Sequence, residues 1–296
     1  MTGALATMLA ASAALAAASP AGADAPLPPC AIASAPPLAR GYAPVNGLRL
    51  YHEVHGPEGG TPIVLLHGGD PAIETSWERI LPALARRHRV IAFDQQGHGR
   101  TADVDRPFTF EGSADDAAAL LEYLKVARAD LVGFSNGANV AMQVAIRHPR
   151  AVRRLVVASG MVKRAGLRPE FWEGMRSAKL EDMPPHFADV YRRTSPHPDR
   201  LPSYFRKSVD RMLGFRDWPD SALRSISAPA LVVIGDADIV LPEHALEMAR
   251  LLPRAGLAIL PVTSHQAVVE DHADWLVSMI EAFLAERGAM PAATEP

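Results

Sequence analysis

Six short apolar runs, each bounded by polar or glycine-rich punctuation, constrain this chain more than any other feature. They are Ile63–Leu66, Val90–Phe93, Leu131–Val132, Leu155–Val157, Leu231–Ile234 and Leu257–Leu260. Each is continuous rather than alternating, as a strand must be when both faces of its sheet are covered. Helical periodicity lies between most of them. Ala138, Ala141, Met142 and Ala145 recur at i, i+3, i+4 and i+7 after the third run, and Ala245, Met248, Ala249 and Leu252 do so after Pro242. A last helix carries Leu276, Met279, Ile280, Phe283 and Leu284. Ahead of the runs, residues 42–55 form two extended segments around Asn46-Gly47, a strong hairpin signal. An antiparallel start followed by alternating strand and helix predicts a doubly wound, mostly parallel α/β sheet with helices on both faces. The 296 residues suffice for such a sheet in one piece.

One interval breaks the alternation. About seventy residues separate Ser159 from Ala230 without a strand-like run, too long for a structureless loop in a compact domain. A helical insertion over residues 161–219 is expected. Its aromatic and methionine residues, among them Phe171, Trp172, Met183 and Phe187, serve either as its own core or as the lining of a pocket beneath a lid.

The ends bound compartment and partners. Residues 4–18 are a run of small apolar residues, too short and weakly hydrophobic for a stable membrane span. With Ala21-Gly22-Ala23 after it, the run reads as a secretory signal over residues 1–23, although no Lys or Arg precedes it. That predicts a secreted or periplasmic protein; an alanine-rich leader on a cytoplasmic one is the alternative. Residues 24–40 read as a disordered Pro/Ala-rich linker, and 41–160 with 220–288 as the α/β core. Cys30 is the single cysteine, which excludes an intrachain disulfide and a cysteine zinc site. A net charge of −3 gives no footprint for nucleic acid, and the sequence names no oligomeric state. No metal is expected: His52 and His55 lie three apart in a predicted strand and face opposite sides. No cofactor is expected either, since no Gly-x-Gly-x-x-Gly follows the first run.

Gly133-Phe134-Ser135-Asn136-Gly137 joins the third run to a helix. So tight a strand-to-helix turn strains its central residue and raises the serine oxygen above the strand end, in front of a helix N-terminus that favours negative charge. Serine is a weak nucleophile until a base takes its proton. His265 follows the last run directly and is the expected base; His272 opens the last helix and reads as surface. The carboxylate that orients the imidazole should come from Gly235-Asp236-Ala237-Asp238. Asp238 lies deeper in the loop and is assigned this role, while Asp236 is expected to hold the turn through backbone amides. A tetrahedral oxyanion needs fixed N–H donors, assigned to Asn136 and Gly69. His67 is expected to order the Gly69 loop rather than move protons.

Leu66-His67-Gly68-Gly69, Asp94-Gln95-Gln96-Gly97-His98-Gly99-Arg100, the Ser135 pentapeptide and Gly235–Asp238 with His265 occur in this order. Together they resemble the α/β-hydrolase superfamily, in the branch with a lid between the sixth and seventh strands. The resemblance runs roughly from Gly41 to Glu286. It implies an eight-stranded sheet, a Ser-Asp-His triad and a structural role for the Asp94 segment. The Asp70-Pro71 that follows Gly69 departs from proline iminopeptidases, and Ser135 departs from the Asp of haloalkane dehalogenases and epoxide hydrolases. The expected activity is hydrolysis of a small or medium carboxylic ester or lactone through an acyl-enzyme. A carbon–carbon bond hydrolase, a cofactor-free peroxidase and a non-catalytic hydrolase-like binding protein are the alternatives.

The leader makes a direct prediction. Mass spectrometry of the protein from its native host should find a terminus near Asp24 outside the cytoplasm; an intact Met1 or Thr2 terminus in the soluble fraction refutes export.

Overall fold

The computed structural model describes residues 36–285. The signal expected at residues 1–23, Cys30 and most of the linker lie outside the described residues. Strands β1 (Ala39–Val45) and β2 (Leu48–His55) form the hairpin. Asn46 and Gly47 turn it with φ of 49° and 80°, the positive pair that a two-residue turn of this twist needs. The sequence places the end of the linker at residue 40, but β1 already begins at Ala39. Ala39 pairs with Val54 and Arg40 with Glu53, so the ladder extends over exposed residues that carry no apolar signal.

The apolar runs become β3 (Ile63–Leu66), β4 (Val90–Phe93), β5 (Ala129–Phe134), β6 (Val152–Ala158), β7 (Ala230–Ala237) and β8 (Ala255–Ser264). The eight strands form one sheet in the order β1-β2-β4-β3-β5-β6-β7-β8. Only the β1–β2 and β2–β4 pairs are antiparallel.

Neighbouring residues of one strand enter different cores because side chains alternate across a sheet. Val64, Leu66, Leu131, Leu155, Val157, Val232 and Ile234 pack on one face. There they meet α3 (Phe110–Tyr123), α4 (Asn136–Arg147) and α9 (Pro242–Leu251). Ile63, Leu65, Val132, Val156 and Val233 pack on the other, against α1 (Ile73–Trp77), α2 (Ile80–Ala85) and α10 (Ala273–Ala285). The doubly wound arrangement thus follows from apolar runs that feed two cores at once.

Between β6 and β7 the chain forms α5 (Pro169–Ser177), α6 (Pro185–Thr194), α7 (Leu201–Leu213) and α8 (Asp220–Arg224). Its apolar residues divide between two cores. Phe187, Tyr191, Leu201 and Tyr204 make a separate small core with Met183 and Phe108. Phe171, Trp172, Met175, Met212 and Phe215 instead join the main core, and Met175 and Met212 also line a cavity at the sheet edge.

The β5–α4 turn is a tight crossing. A Cβ on Gly137 would overlap the carbonyl oxygens of Leu66 and His67, and one on Gly133 would overlap the Gly137 carbonyl. Backbone oxygens cannot yield as a flexible side chain can. Gly137→Ala should therefore cost about 2–3 kcal/mol as overpacking, or roughly 5–10 °C in Tm for a chain of this size. Thermal denaturation followed by circular dichroism measures this, and an unchanged Tm would show that the crossing has slack.

Candidate active site

Ser135 directly follows β5 with φ 52° and ψ −122°, outside the favoured regions for a side chain. Its N–H donates to Ala158 O at 2.8 Å, and its carbonyl accepts from Ala138 and Asn139 as α4 begins. Neighbouring β6 and the helix together hold the strained residue in place. The turn lifts Oγ to 3.0 Å from His265 Nε2.

His265 Nδ1 lies 2.6 Å from Asp238 Oδ1. Asp238 is fully buried, and burial alone pushes its carboxyl up. The His265 imidazole, the Ser159 hydroxyl (2.5 Å to Oδ2) and the Val240 N–H (3.1 Å to Oδ1) outweigh that and hold it below the ordinary carboxylate value. An ionised carboxylate can only accept, so Nδ1 carries the proton and Nε2 presents a lone pair to the serine hydroxyl. The three residues assigned from sequence thus form one hydrogen-bonded chain, in an order suited to drawing a proton from Ser135.

Asp236 stays out of it. Its carboxylate accepts from Val262 N and Thr263 N, both at 2.9 Å, and clamps the end of β8 to the end of β7. Those two amides hold it below its ordinary value.

Gly69 and Asn136 both line the cavity at Ser135, and neither main-chain N–H donates to a described residue. A side chain at Gly69 would press its Cβ to 2.7 Å from Asn136 Nδ2, so glycine lets the two segments close on each other. The loop behind Gly69 is tied from several sides. His67 Nε2 accepts from Gln95 N at 3.0 Å while Nδ1 donates to Gly68 O at 3.0 Å. Full burial lowers the His67 pKa to about 4, so it stays neutral and orders the loop as expected. Asp94 accepts from Ile73 N and Arg100 N at 2.8 Å each, which fixes the neighbouring loop. Burial raises its pKa to about 6 in spite of Arg100.

Sequence reasoning missed three residues. The Ser159 hydroxyl, at the end of β6, reaches the Asp238 carboxylate that follows β7. Tyr204 of α7 donates from its hydroxyl to Gly69 O at 2.7 Å, a contact across 135 positions that no local pattern reveals. Asp70 lines the cavity as a buried carboxyl; its only signal was a departure from the usual composition of this loop.

The cavity is small, about 90 Å³, and mostly apolar. Met175, Met183, Phe187, Phe205 and Met212 come from the β6–β7 segment, and Ser135, Asn136, Gly69 and His265 from the core loops. Among the described residues no group of side chains could hold a metal ion, and no helix is long and apolar enough to cross a membrane.

Comparison with known proteins agrees with this architecture. Residues 61–220 match the family model described as alpha/beta hydrolase fold. The chain is 28% identical to the 2-hydroxymuconate semialdehyde hydrolase of Pseudomonas sp. (strain CF600), over 80% of this chain and 91% of that one. It is 28% identical to the non-heme chloroperoxidase of Burkholderia pyrrocinia, over 81% and 97%. The enol-lactonase from Burkholderia xenovorans LB400 superposes with a TM-score of 0.66 at 24% identity, covering 83% of this chain and all (100%) of that one.

The 2.6 Å contact between His265 and Asp238 should shift the Nδ1 proton far downfield of the amide envelope in the proton NMR spectrum. Asp238→Asn should abolish that resonance and Asp236→Asn should keep it. The opposite pattern would show that Asp236 is the partner of the imidazole.

Proposed function

The chain belongs to the α/β-hydrolase family, and on that premise we propose that it is a serine hydrolase that cleaves a small carboxylic ester or lactone through an acyl-enzyme. One observation carries the reading: the unbroken hydrogen-bonded chain from Ser135 Oγ through His265 to buried Asp238, at the edge of a cavity with two undonated amides.

Each step follows from these groups. Ser135 Oγ attacks the carbonyl carbon while His265 Nε2 takes the hydroxyl proton. Asp238 stabilises the imidazolium and keeps it oriented. The Gly69 and Asn136 N–H groups receive the oxyanion; a single donor of this kind is commonly worth about 10²–10³ in rate. The imidazolium then protonates the leaving alkoxide, and the acyl group remains on Ser135. His265 next takes a proton from water, whose oxygen attacks the acyl carbon, and collapse returns the proton to Ser135. In a lactone the leaving alkoxide stays on the same molecule, so the product is a hydroxy acid.

The β6–β7 helices act as a lid in this reading, since their side chains close the cavity over Ser135. The named activities of two relatives, a semialdehyde hydrolase and a chloroperoxidase, favour a second reading in which the same three residues cleave a carbon–carbon bond or form a peracid.

Ser135→Ala should lower kcat by on the order of 10⁴-fold or more, with the fold intact because only one half-buried oxygen is lost. The check is turnover on matched ester, lactone and dienone panels, alongside labelling by a fluorophosphonate probe. Wild type should label and Ser135→Ala should not. Absence of labelling in wild type would mark a non-catalytic binding protein, and turnover of the dienones alone would move the activity to carbon–carbon cleavage.

A further inference from the structure

Asp70 is the one acidic side chain among the residues that line the Ser135 cavity, and the chain of proton transfer does not use it. Its place is set by Gly68: a Cβ there would lie 3.3 Å from Asp70 Oδ2 and 3.4 Å from Ser135 Cβ. The carboxyl and the nucleophile therefore flank the same point of the loop. Oδ2 accepts from Ser76 Oγ at 2.5 Å, and that hydroxyl itself accepts from Gly68 N at 3.0 Å. Among the described residues Oδ1 has no donor and no Lys or Arg pairs with this carboxylate. The titratable groups that face it are His265, His186 of α6, Glu270 and the Tyr204 phenol.

We propose that Asp70 is a specificity-determining carboxylate that seats an ammonium group of the substrate, so that this site takes small amine-bearing esters. The inference rests on the serine hydrolase reading for its chemistry, and on the geometry of Asp70 for its specificity.

Three arguments converge. First, a buried carboxylate without a cation is costly, and a ligand cation removes that cost. Burial accordingly holds the Asp70 carboxyl above its ordinary value in the empty site, even with two histidines nearby. Secondly, the rest of the cavity suits the alkyl part of an amine. Phe187 and Phe205 supply aromatic surface, which tolerates a nearby cation, and Met175, Met183 and Met212 adapt to small alkyl shapes. The small volume, about 90 Å³, suits a compact alkyl amine rather than a long chain. Thirdly, a bare negative charge beside Ser135 opposes the charge that develops on the oxyanion. An ammonium seated on Asp70 cancels that repulsion, so amine-bearing substrates gain in the transition state as well as in binding.

The test compares methyl 4-aminobutyrate with its uncharged isostere methyl pentanoate, using full-length wild type and Asp70→Asn. The amide keeps the size of the side chain and an acceptor for Ser76. Wild type should favour the amino ester by about tenfold or more in kcat/KM, the scale of one charge-assisted hydrogen bond. Asp70→Asn should remove that preference, mainly by raising KM for the amino ester, and should keep or raise turnover of methyl pentanoate. Calorimetric binding of n-butylammonium against n-butanol measures the same site without catalysis; the ammonium should bind more tightly to wild type, and Asp70→Asn should abolish the difference. Equal loss on both esters, or equal binding of amine and alcohol to wild type, overturns the proposal and leaves Asp70 as a brace for the Gly68 loop. Ammonium binding through Asp70 in a protein that hydrolyses neither ester would overturn the hydrolase reading alone.

Discussion

There is no room for a methyl group where α4 crosses the end of β3. The Leu66 and His67 carbonyls lie against the Gly137 backbone, and the rest of the site depends on that approach. It brings the helix N-terminus beside the Gly69 loop, so two amides from segments 67 positions apart border one cavity. It also forces Ser135 into a left-handed backbone state, which neighbouring β6 and α4 sustain through ordinary hydrogen bonds. The strain is local, and cooperative structure on both sides supports it.

Legibility in the sequence followed the range of the interactions. The six buried strands, the Asn46-Gly47 hairpin and the helices with apolar stripes were readable because each depends on neighbours within a few positions. Ser135, His265 and Asp238 were readable for a related reason. Each directly follows or closely trails a strand end, and a parallel sheet gathers such ends along one edge. The division of labour between Asp236 and Asp238 was also open to reasoning, since the carboxylate nearer the strand reaches only nearby amides.

What escaped depends on long-range geometry. Tyr204 meets Gly69 only after the β6–β7 helices fold back over the sheet edge. The hydroxyl of Ser159 matters only because β6 lies beside β7, and its reach to Asp238 is a property of that adjacency. The start of β1 at Ala39 was missed because exposed strand residues pair through their backbones and carry no apolar mark. The β6–β7 segment shows a further ambiguity: a run of aromatics cannot reveal whether its rings pack on one another or line a cavity, and here Phe187 and Tyr204 do both.

The hydrogen bond from Tyr204 to Gly69 O has a mechanical consequence. Its donor rides on α7 and its acceptor belongs to the peptide next to the cavity amides. Helix and loop are thereby latched: α7 cannot swing outward without stripping a half-buried carbonyl of its donor, at a net cost of about 0.5–1.5 kcal/mol. The same motion frees the Gly69 peptide to rotate. A single hydroxyl therefore couples the position of α7 to the orientation of the Gly69 peptide at the cavity wall.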